Sequence, residues 1–366
     1  MTDRIEHSGF PQEADQGDTP NLSVTAGMRQ WLLDQQLSLA FTSYQSGRLL
    51  TMGVDPSGNL AFNKQNYLRA MGLHYNRGTL HLAALFQIWR LENLLDPGQY
   101  ANGAFDSVLV PRAAHTTGYV DAHDLAVDKA GRIIFVNTRF SCLATTDERF
   151  SFRPVWKPDF ISALFAEDRC HLNGLAMEDG VPRYVTAVNT TDVKDGWRHK
   201  PRDGGVVIEV ESKQIVASGL SMPHSPRVHD GALWVQDSGR GFLVRIDPAT
   251  GTRDDVVFCP GFLRGMTIHN GFAIAALSQA RHGHFGELAL QKELDSRGVE
   301  AWCGLVVIDL KKGQILEFMR INSGFTELFD VAAMRGVRNP MSVGPGSEDI
   351  LTTIRFNPNF APLHPR

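Results

Sequence analysis

Short apolar runs recur along this chain in sets of four, and the sets themselves repeat. The opening runs are Met71-Gly72-Leu73, Asp124-Leu125-Ala126-Val127, Gly174-Leu175-Ala176-Met177, Ser225-Pro226-Arg227-Val228 and Gly265-Met266-Thr267-Ile268, with a weaker sixth at Asp330-Val331-Ala332-Ala333. Turns follow them at Asp128-Lys129-Ala130-Gly131, Glu178-Asp179-Gly180, His229-Asp230-Gly231 and His269-Asn270-Gly271, and then come second runs such as Ile133–Val136, Leu233–Val235 and Phe272–Ala276. Asp-Gly and Asn-Gly between alternating apolar runs predict hairpins, because the tight turn needs residues that tolerate positive φ. Third runs stand at Gln87–Leu91, Gly205–Ile208, Phe242–Asp247 and Gly304–Asp309. Fourth runs stand at Ser107–Val110, Pro154–Trp156, Gln214–Ala217, Asp255–Phe258 and Gln314–Phe318.

Four short strands repeated every roughly 40 to 50 residues are the pattern of a β-propeller blade. The expected fold is therefore all-β, a six-bladed propeller with four-stranded blades. Early runs (Leu37–Thr42, Leu49–Gly53) and a late one (Asp349–Phe356) are available to close the ring and remove its exposed edges. Residues 1–25 read as a flexible arm without the apolar core of a signal peptide, and 26–360 as a single domain. One segment, about 280–300, breaks the repeat between the second and third strands of the fifth copy. There Leu288, Leu290 and Leu294 lie among good helix formers, which predicts a short helical insertion near the end of the channel where the first strands begin.

In a propeller the first strand of every blade lines the central channel, so the residues at its leading end converge on one mouth. Here that ring reads Arg69, His123, Asn173, His224, Arg264 and Phe329, with Asp121 and His171 two residues ahead of their ring positions. Two or three imidazoles with an Asn or Asp can hold a metal with open positions for water or substrate, and His123, His224 and Asn173 are the candidate ligands. Without a metal, His123, His224, His171 and Asp121 are candidate acids and bases. Arg69 and Arg264 in one cavity imply an anionic ligand, since a guanidinium grips carboxylate, phosphate or sulfate bidentately. Asn173, Tyr44 and Trp197 complete the expected substrate contacts. Each residue also has a plainer role open to it: a structural hydrogen bond for either His, a turn cap for Asn173, and a bridge between blades, through Glu327 for instance, for either Arg.

The element His171-Leu172-Asn173-Gly174-Leu175-Ala176 resembles one in the six-bladed gluconolactonase and senescence-marker-protein propellers. That resemblance implies a divalent cation at the mouth, with Asn173 as a ligand. Those propellers use an acidic ligand shell, whereas this ring offers imidazoles and arginines, which favours a transition metal over calcium if a metal is held. A broader resemblance, carried by Ser43-Tyr44-Gln45-Ser46-Gly47, Gln87-Ile88-Trp89-Arg90-Leu91, His171-Leu172-Asn173-Gly174 and His224-Ser225-Pro226-Arg227, is to an uncharacterised, mostly bacterial family of conserved hypothetical proteins. It spans nearly everything from Trp31 to Phe356 and implies no activity.

Composition narrows the partners. A net charge of −4 and the lack of any Lys/Arg block exclude nucleic acid as the expected partner, and no run has the ~18 apolar residues of a membrane span. The four cysteines, far apart and in or beside apolar runs, read as buried thiols of a cytoplasmic protein. No nucleophile elbow, phosphate-binding loop, dinucleotide fingerprint or His-Glu-x-x-His occurs. Two functions follow: an enzyme doing hydrolytic, lyase or transfer chemistry on a small anion at the mouth, or a non-enzymatic propeller that binds an anionic ligand or a protein partner there.

Overall fold

The computed structural model describes residues 21–199 and 202–359. Most of the arm, residues 1–20, lies outside the described residues. Six sheets form the blades, numbered here by the order of the copies above. Blade 1 comprises Leu73–Asn76, Thr79–Ala83, Gln87–Asn93 and Ser107–Thr116, and blade 2 Ala122–Val127, Ile133–Asn137, Cys142–Thr145 and Arg153–Trp156. Blade 3 is Leu172–Glu178, Val181–Ala187, Gly205–Glu209 and Ile215–Leu220, and blade 4 is Pro223–His229, Ala232–Asp237, Phe242–Ile246 and Arg253–Phe258. Blade 5 is Phe262–His269, Phe272–Ser278, Cys303–Asp309 and Gln314–Ile321.

Blade 6 closes the ring. Its innermost strand, Val331–Arg335, pairs antiparallel with Leu37–Ser43 (Leu37 opposite Arg335, Phe41 opposite Val331), and Arg48–Val54 and Leu60–Asn66 follow outward. The late run Asp349–Phe356 takes no part. It holds a short helix, Asp349–Thr352, because the six blades are already complete without it. The last residues of the expected arm are ordered as well: Leu22–Val24 adds a fifth strand to blade 5 against Met319–Ile321. Met28–Asp34 forms a helix that the strand pattern did not predict, and its Met28, Trp31 and Leu32 pack over the seam between blades 5 and 6. The insertion's helix is Ala289–Arg297, between the second and third strands of blade 5.

Both faces of each sheet are buried, so the inner strands read as continuous apolar runs rather than alternations. The six largest core clusters accordingly lie one in each gap between neighbouring blades, with two smaller ones around Val108, Val110 and Val343 and under the insertion at Phe262, Leu290 and Leu294. The cysteines are free and buried within this packing.

On the axis the blades are joined by hydrogen bonds. Arg227 of blade 4 reaches across the channel to Asp124 of blade 2 at 2.9 Å, and also donates to the carbonyls of Leu175 in blade 3 and Met266 in blade 5, both at 2.9 Å. Asp124 accepts from the Leu175 N–H at 3.0 Å, and Asp330 of blade 6 accepts from the Leu73 N–H of blade 1 at 2.7 Å. Every blade thus contributes to one central knot. Burial and the Asp124 charge push the Asp330 carboxyl above the usual range, and Arg227 counters them. Removing one partner of a buried pair leaves the other charge stranded. Arg227→Met is expected to lower unfolding free energy by about 3 kcal/mol in urea titrations, and adding Asp124→Asn to recover part of that loss.

Candidate functional site

Each inner strand in blades 1 to 4 is entered through a residue in the left-handed region: Arg69 (φ 48°), Asp121 (53°), His171 (50°) and Met222 (48°). For residues other than glycine this conformation costs about 1–3 kcal/mol each and persists only where the surroundings hold it. These four form an outer tier around the mouth. Two residues further on lies an inner tier of Met71, His123, Asn173, His224, Arg264 and Phe329. Close contacts fix the level of the next residue in line, with the Gly72 backbone against His123 and Asp124, Gly174 against Ser225, and Gly265 against Asp330. Arg69 therefore stands one tier further out than the sequence ring placed it, level with Asp121 and His171, and Met71 fills its place.

The left-handed turn gives the histidines a shared anchor. His123 Nδ1 lies 2.9 Å from the Asp121 carbonyl and 2.9 Å from Thr138 Oγ1, while Thr138 spends its own proton on the Leu172 carbonyl at 2.6 Å. His224 Nδ1 lies 2.9 Å from the Met222 carbonyl and 3.1 Å from Ser238 Oγ. A carbonyl can only accept, so both rings carry hydrogen on Nδ1 and leave Nε2 as an acceptor. Both are buried, His123 to 9% exposure and His224 to 5%. Burial pushes the His123 pKa down to about 4, despite the nearby Asp121, and burial with help from Arg264 lowers that of His224 well below its ordinary value.

His171 is held differently. Its Nδ1 donates to the Asp168 carboxylate at 2.9 Å, its ring stacks on Trp197 at 4.2 Å, and Trp197 Nε1 donates to the same carboxylate at 2.9 Å. Burial would raise the Asp168 pKa, but the hydrogen bond and charge of His171, with His123 and the Trp197 hydrogen bond adding less, more than offset it, and the carboxylate is held below its ordinary range. His123 meets the His171 ring edge-on at 4.9 Å.

These groups line a cavity of about 280 Å³ together with Tyr44, Arg69, Asp121, Arg264 and Phe329. Arg264 sits among the rings of Tyr44, Phe262 and Phe329, each 5.4 Å from its guanidinium carbon, and its buried Nε has no hydrogen-bond partner among the described residues. Burial pulls its pKa down, yet a guanidinium stays charged. No carboxylate among the described residues is within ion-pair distance of it. The bridge to Glu327 is made by Arg281 of the insertion, at 3.0 Å, with Tyr44 donating to the same carboxylate at 2.7 Å. Arg69 bonds the Tyr119 hydroxyl at 3.2 Å and approaches Asp121 at 3.5 Å.

Asn173 is the one candidate that does not face this cavity. Its Oδ1 accepts from Thr186 at 2.7 Å within blade 3. Among the described residues no three His, Cys, Asp or Glu side chains are grouped to hold a metal ion. Asp168, Tyr119, Arg198 and Arg281 also line the mouth and were missed. Only Asp168 had a local signal, its spacing of three residues ahead of His171.

Fold and site together define a six-bladed propeller with a cationic, histidine-lined axial mouth. The chain belongs to the family described as domain of unknown function (DUF4915), which matches residues 26–343. No curated protein matches it. Among solved structures it is similar to a chain of a nidogen/laminin complex, at 12% identity over 82% of this chain and 98% of that one, with a TM-score of 0.51. It also matches virginiamycin B lyase from Staphylococcus aureus, at 12% identity over 66% and 73% of the two chains, with a TM-score of 0.41. The nidogen/laminin likeness is one of fold. Among the described residues no helix is long and apolar enough to cross a membrane.

A histidine kept neutral in the fold binds its proton only in the unfolded chain. The stability contributed by neutral His123 is therefore complete above its ordinary pKa of 6.5 and is lost as pH falls towards about 4. The loss is expected to reach about 3 kcal/mol for this residue alone. Urea midpoints measured from pH 7.5 to 4 check it: they should fall with pH, and less steeply in His123→Asn.

Proposed function

We propose that this protein is a small-molecule enzyme performing acid/base chemistry on an organic anion in the axial mouth, with His171 as the residue that takes the proton. One observation carries the reading: three imidazoles, each fixed at Nδ1 by an oxygen and without a hydrogen bond at Nε2 among the described residues, share a cavity with a guanidinium that has no carboxylate within ion-pair distance among them. A buried cation whose nearest carboxylates, Glu327 and Asp121, act on it only from beyond ion-pair distance favours an anionic ligand. The cavity volume lies near the lower end of the roughly 300–1,000 Å³ of ligand pockets, which suits a metabolite rather than a polymer.

The roles differ because the anchors differ. As His171 Nε2 takes a proton from substrate or water, positive charge develops on a ring whose Nδ1–H faces a carboxylate 2.9 Å away, and Asp168 stabilises it. His123 and His224 are tied to neutral oxygens and resist charging, so they serve as hydrogen-bond acceptors that orient a hydroxyl or water. Arg264 grips the substrate anion, and Arg69 completes the positive field at the rim. Proton removal of this kind opens hydrolysis, elimination or group transfer alike. A metal, if one is bound, would draw on His123 and His224.

The test is a turnover screen of the full-length protein against small carboxylates, phosphate esters and sulfate esters, followed by NMR. For the substrate found, His171→Gln is expected to lower kcat by about 10²–10⁴-fold with binding retained. Asp168→Asn should lower kcat and shift the pH profile, and Arg264→Met should raise KM. A ligand that binds without turnover, and whose affinity falls alike in His171→Gln and Arg264→Met, would show a binding module instead.

A further inference from the structure

Five guanidiniums line the mouth among the described residues, and three of them have a carboxylate at hand: Arg281 meets Glu327 at 3.0 Å, Arg69 meets Asp121 at 3.5 Å and Arg198 meets Asp195 at 3.6 Å. The remaining carboxylate of the lining, Asp168, is taken up by His171 and Trp197. Arg264 and Arg139 are left without a carboxylate within ion-pair distance among the described residues. They stand on opposite sides of the axis. Arg264 lies on the first strand of blade 5 and Arg139 in the turn after the second strand of blade 2, and in a ring of six these two blades face each other. From this placement we infer that the ligand of the mouth carries two separate anionic groups, as a small dicarboxylate does, one for each of these arginines. The inference rests on reading the mouth as an anion site, and it narrows the substrate from any organic anion to a dianion.

Between the two arginines, rings and cations alternate. Arg139 lies over Tyr119 at 5.0 Å, Arg69 over the same ring at 5.2 Å and over Tyr44 at 5.7 Å, and Arg264 over Tyr44 at 5.4 Å. Tyr119 precedes the first strand of blade 2, Arg69 that of blade 1, and Tyr44 follows a strand of blade 6, so the series runs round half the mouth from blade 2 to blade 5. Each ring face attracts a cation that its neighbours would otherwise repel, and holds it in place without using its N–H groups. Those groups stay available. Arg264 has no side-chain hydrogen bond with the described residues, and half-buried Arg139 makes one, to the Ala166 carbonyl at 3.0 Å. With five donors in each fork, both can still take a carboxylate bidentately.

The other half of the mouth, from blades 3 and 4, carries His171 and His224. A diacid fixed at blades 2 and 5 crosses the axis and presents its middle to these imidazoles, where the proton chemistry proposed above takes place. A monoacid engages one of the two arginines and leaves the other unmatched. The second contact of a diacid is made by a ligand already in place, at high effective concentration, so two anchors hold far better than one.

Calorimetry of the full-length protein with the dicarboxylates from malonate to adipate, each beside the monocarboxylate of equal chain length, tests the inference. At least one diacid is expected to bind about tenfold or more tightly than its monoacid counterpart. Arg139→Gln, with folding checked by circular dichroism, should remove that advantage and leave the monoacid unchanged, and Arg139→Lys, which keeps the charge, should restore part of it. Arg264→Met should weaken both ligands. The inference is overturned if no diacid binds at millimolar concentration, if none binds better than its monoacid, or if Arg139→Gln weakens monoacid and diacid alike. A diacid bound with this selectivity, and lost to it in Arg139→Gln, but never turned over supports the inference while counting against the catalytic reading of the mouth.

Discussion

The arrangement of this propeller hangs on the contact of Arg227 with Asp124 across the channel axis. A guanidinium has five donors in a rigid fork, and here they are shared among a carboxylate of blade 2 and carbonyls of blades 3 and 5. Charges so far from water persist only if fully paired, so the knot fixes how far inward each blade leans. The link from Asp330 to the Leu73 N–H does the same for blades 6 and 1, beside the seam where Val331–Arg335 meets Leu37–Ser43. The knot also closes the channel part-way, and it is this floor that turns one bore into two separate cavities.

Above the floor, function and strain coincide. The left-handed residues ahead of the first strands turn their carbonyls towards the ring two positions on, and in blades 2 and 4 that carbonyl holds a histidine by Nδ1. The same backbone device, repeated by the fold's symmetry, yields two imidazoles with equivalent tautomers. In blade 3 the register is the same but the side chains are exchanged. His171 sits on the left-handed residue itself, and the inner position is Asn173, which turns to Thr186. That exchange is what frees His171 to pair with Asp168 and stack on Trp197, and it makes one histidine of the three different in kind.

The blades were legible because hairpins are local: Asp-Gly and Asn-Gly turns, flanking apolar runs and a near-constant spacing all lie within tens of residues of each other. His123, His171, His224, Arg264 and Asp121 were legible for the same reason, since each copy could be laid on the next. Arg69 was misplaced by two residues, because blade 1 has Met71 at the inner position and no polar residue there to set the alignment. Asp349–Phe356 was assigned to ring closure on its apolar content alone, although Val331–Arg335 already supplied the inner strand of the last blade. The helix Met28–Asp34 escaped notice because its apolar face makes sense only against the seam of blades 5 and 6.

The sequence by itself determined the repeat, the number of blades and the set of residues near the axis, since these follow from hydrophobic periodicity and turn chemistry along the chain. Tertiary structure alone decided which of those residues face the cavity and what holds them. Arg281 reaching Glu327, Trp197 bonding Asp168 and Arg227 crossing to Asp124 join residues 46, 29 and 103 positions apart. Contacts between blades depend on how whole sheets pack, and no local pattern encodes the direction in which a side chain is left to point once they do.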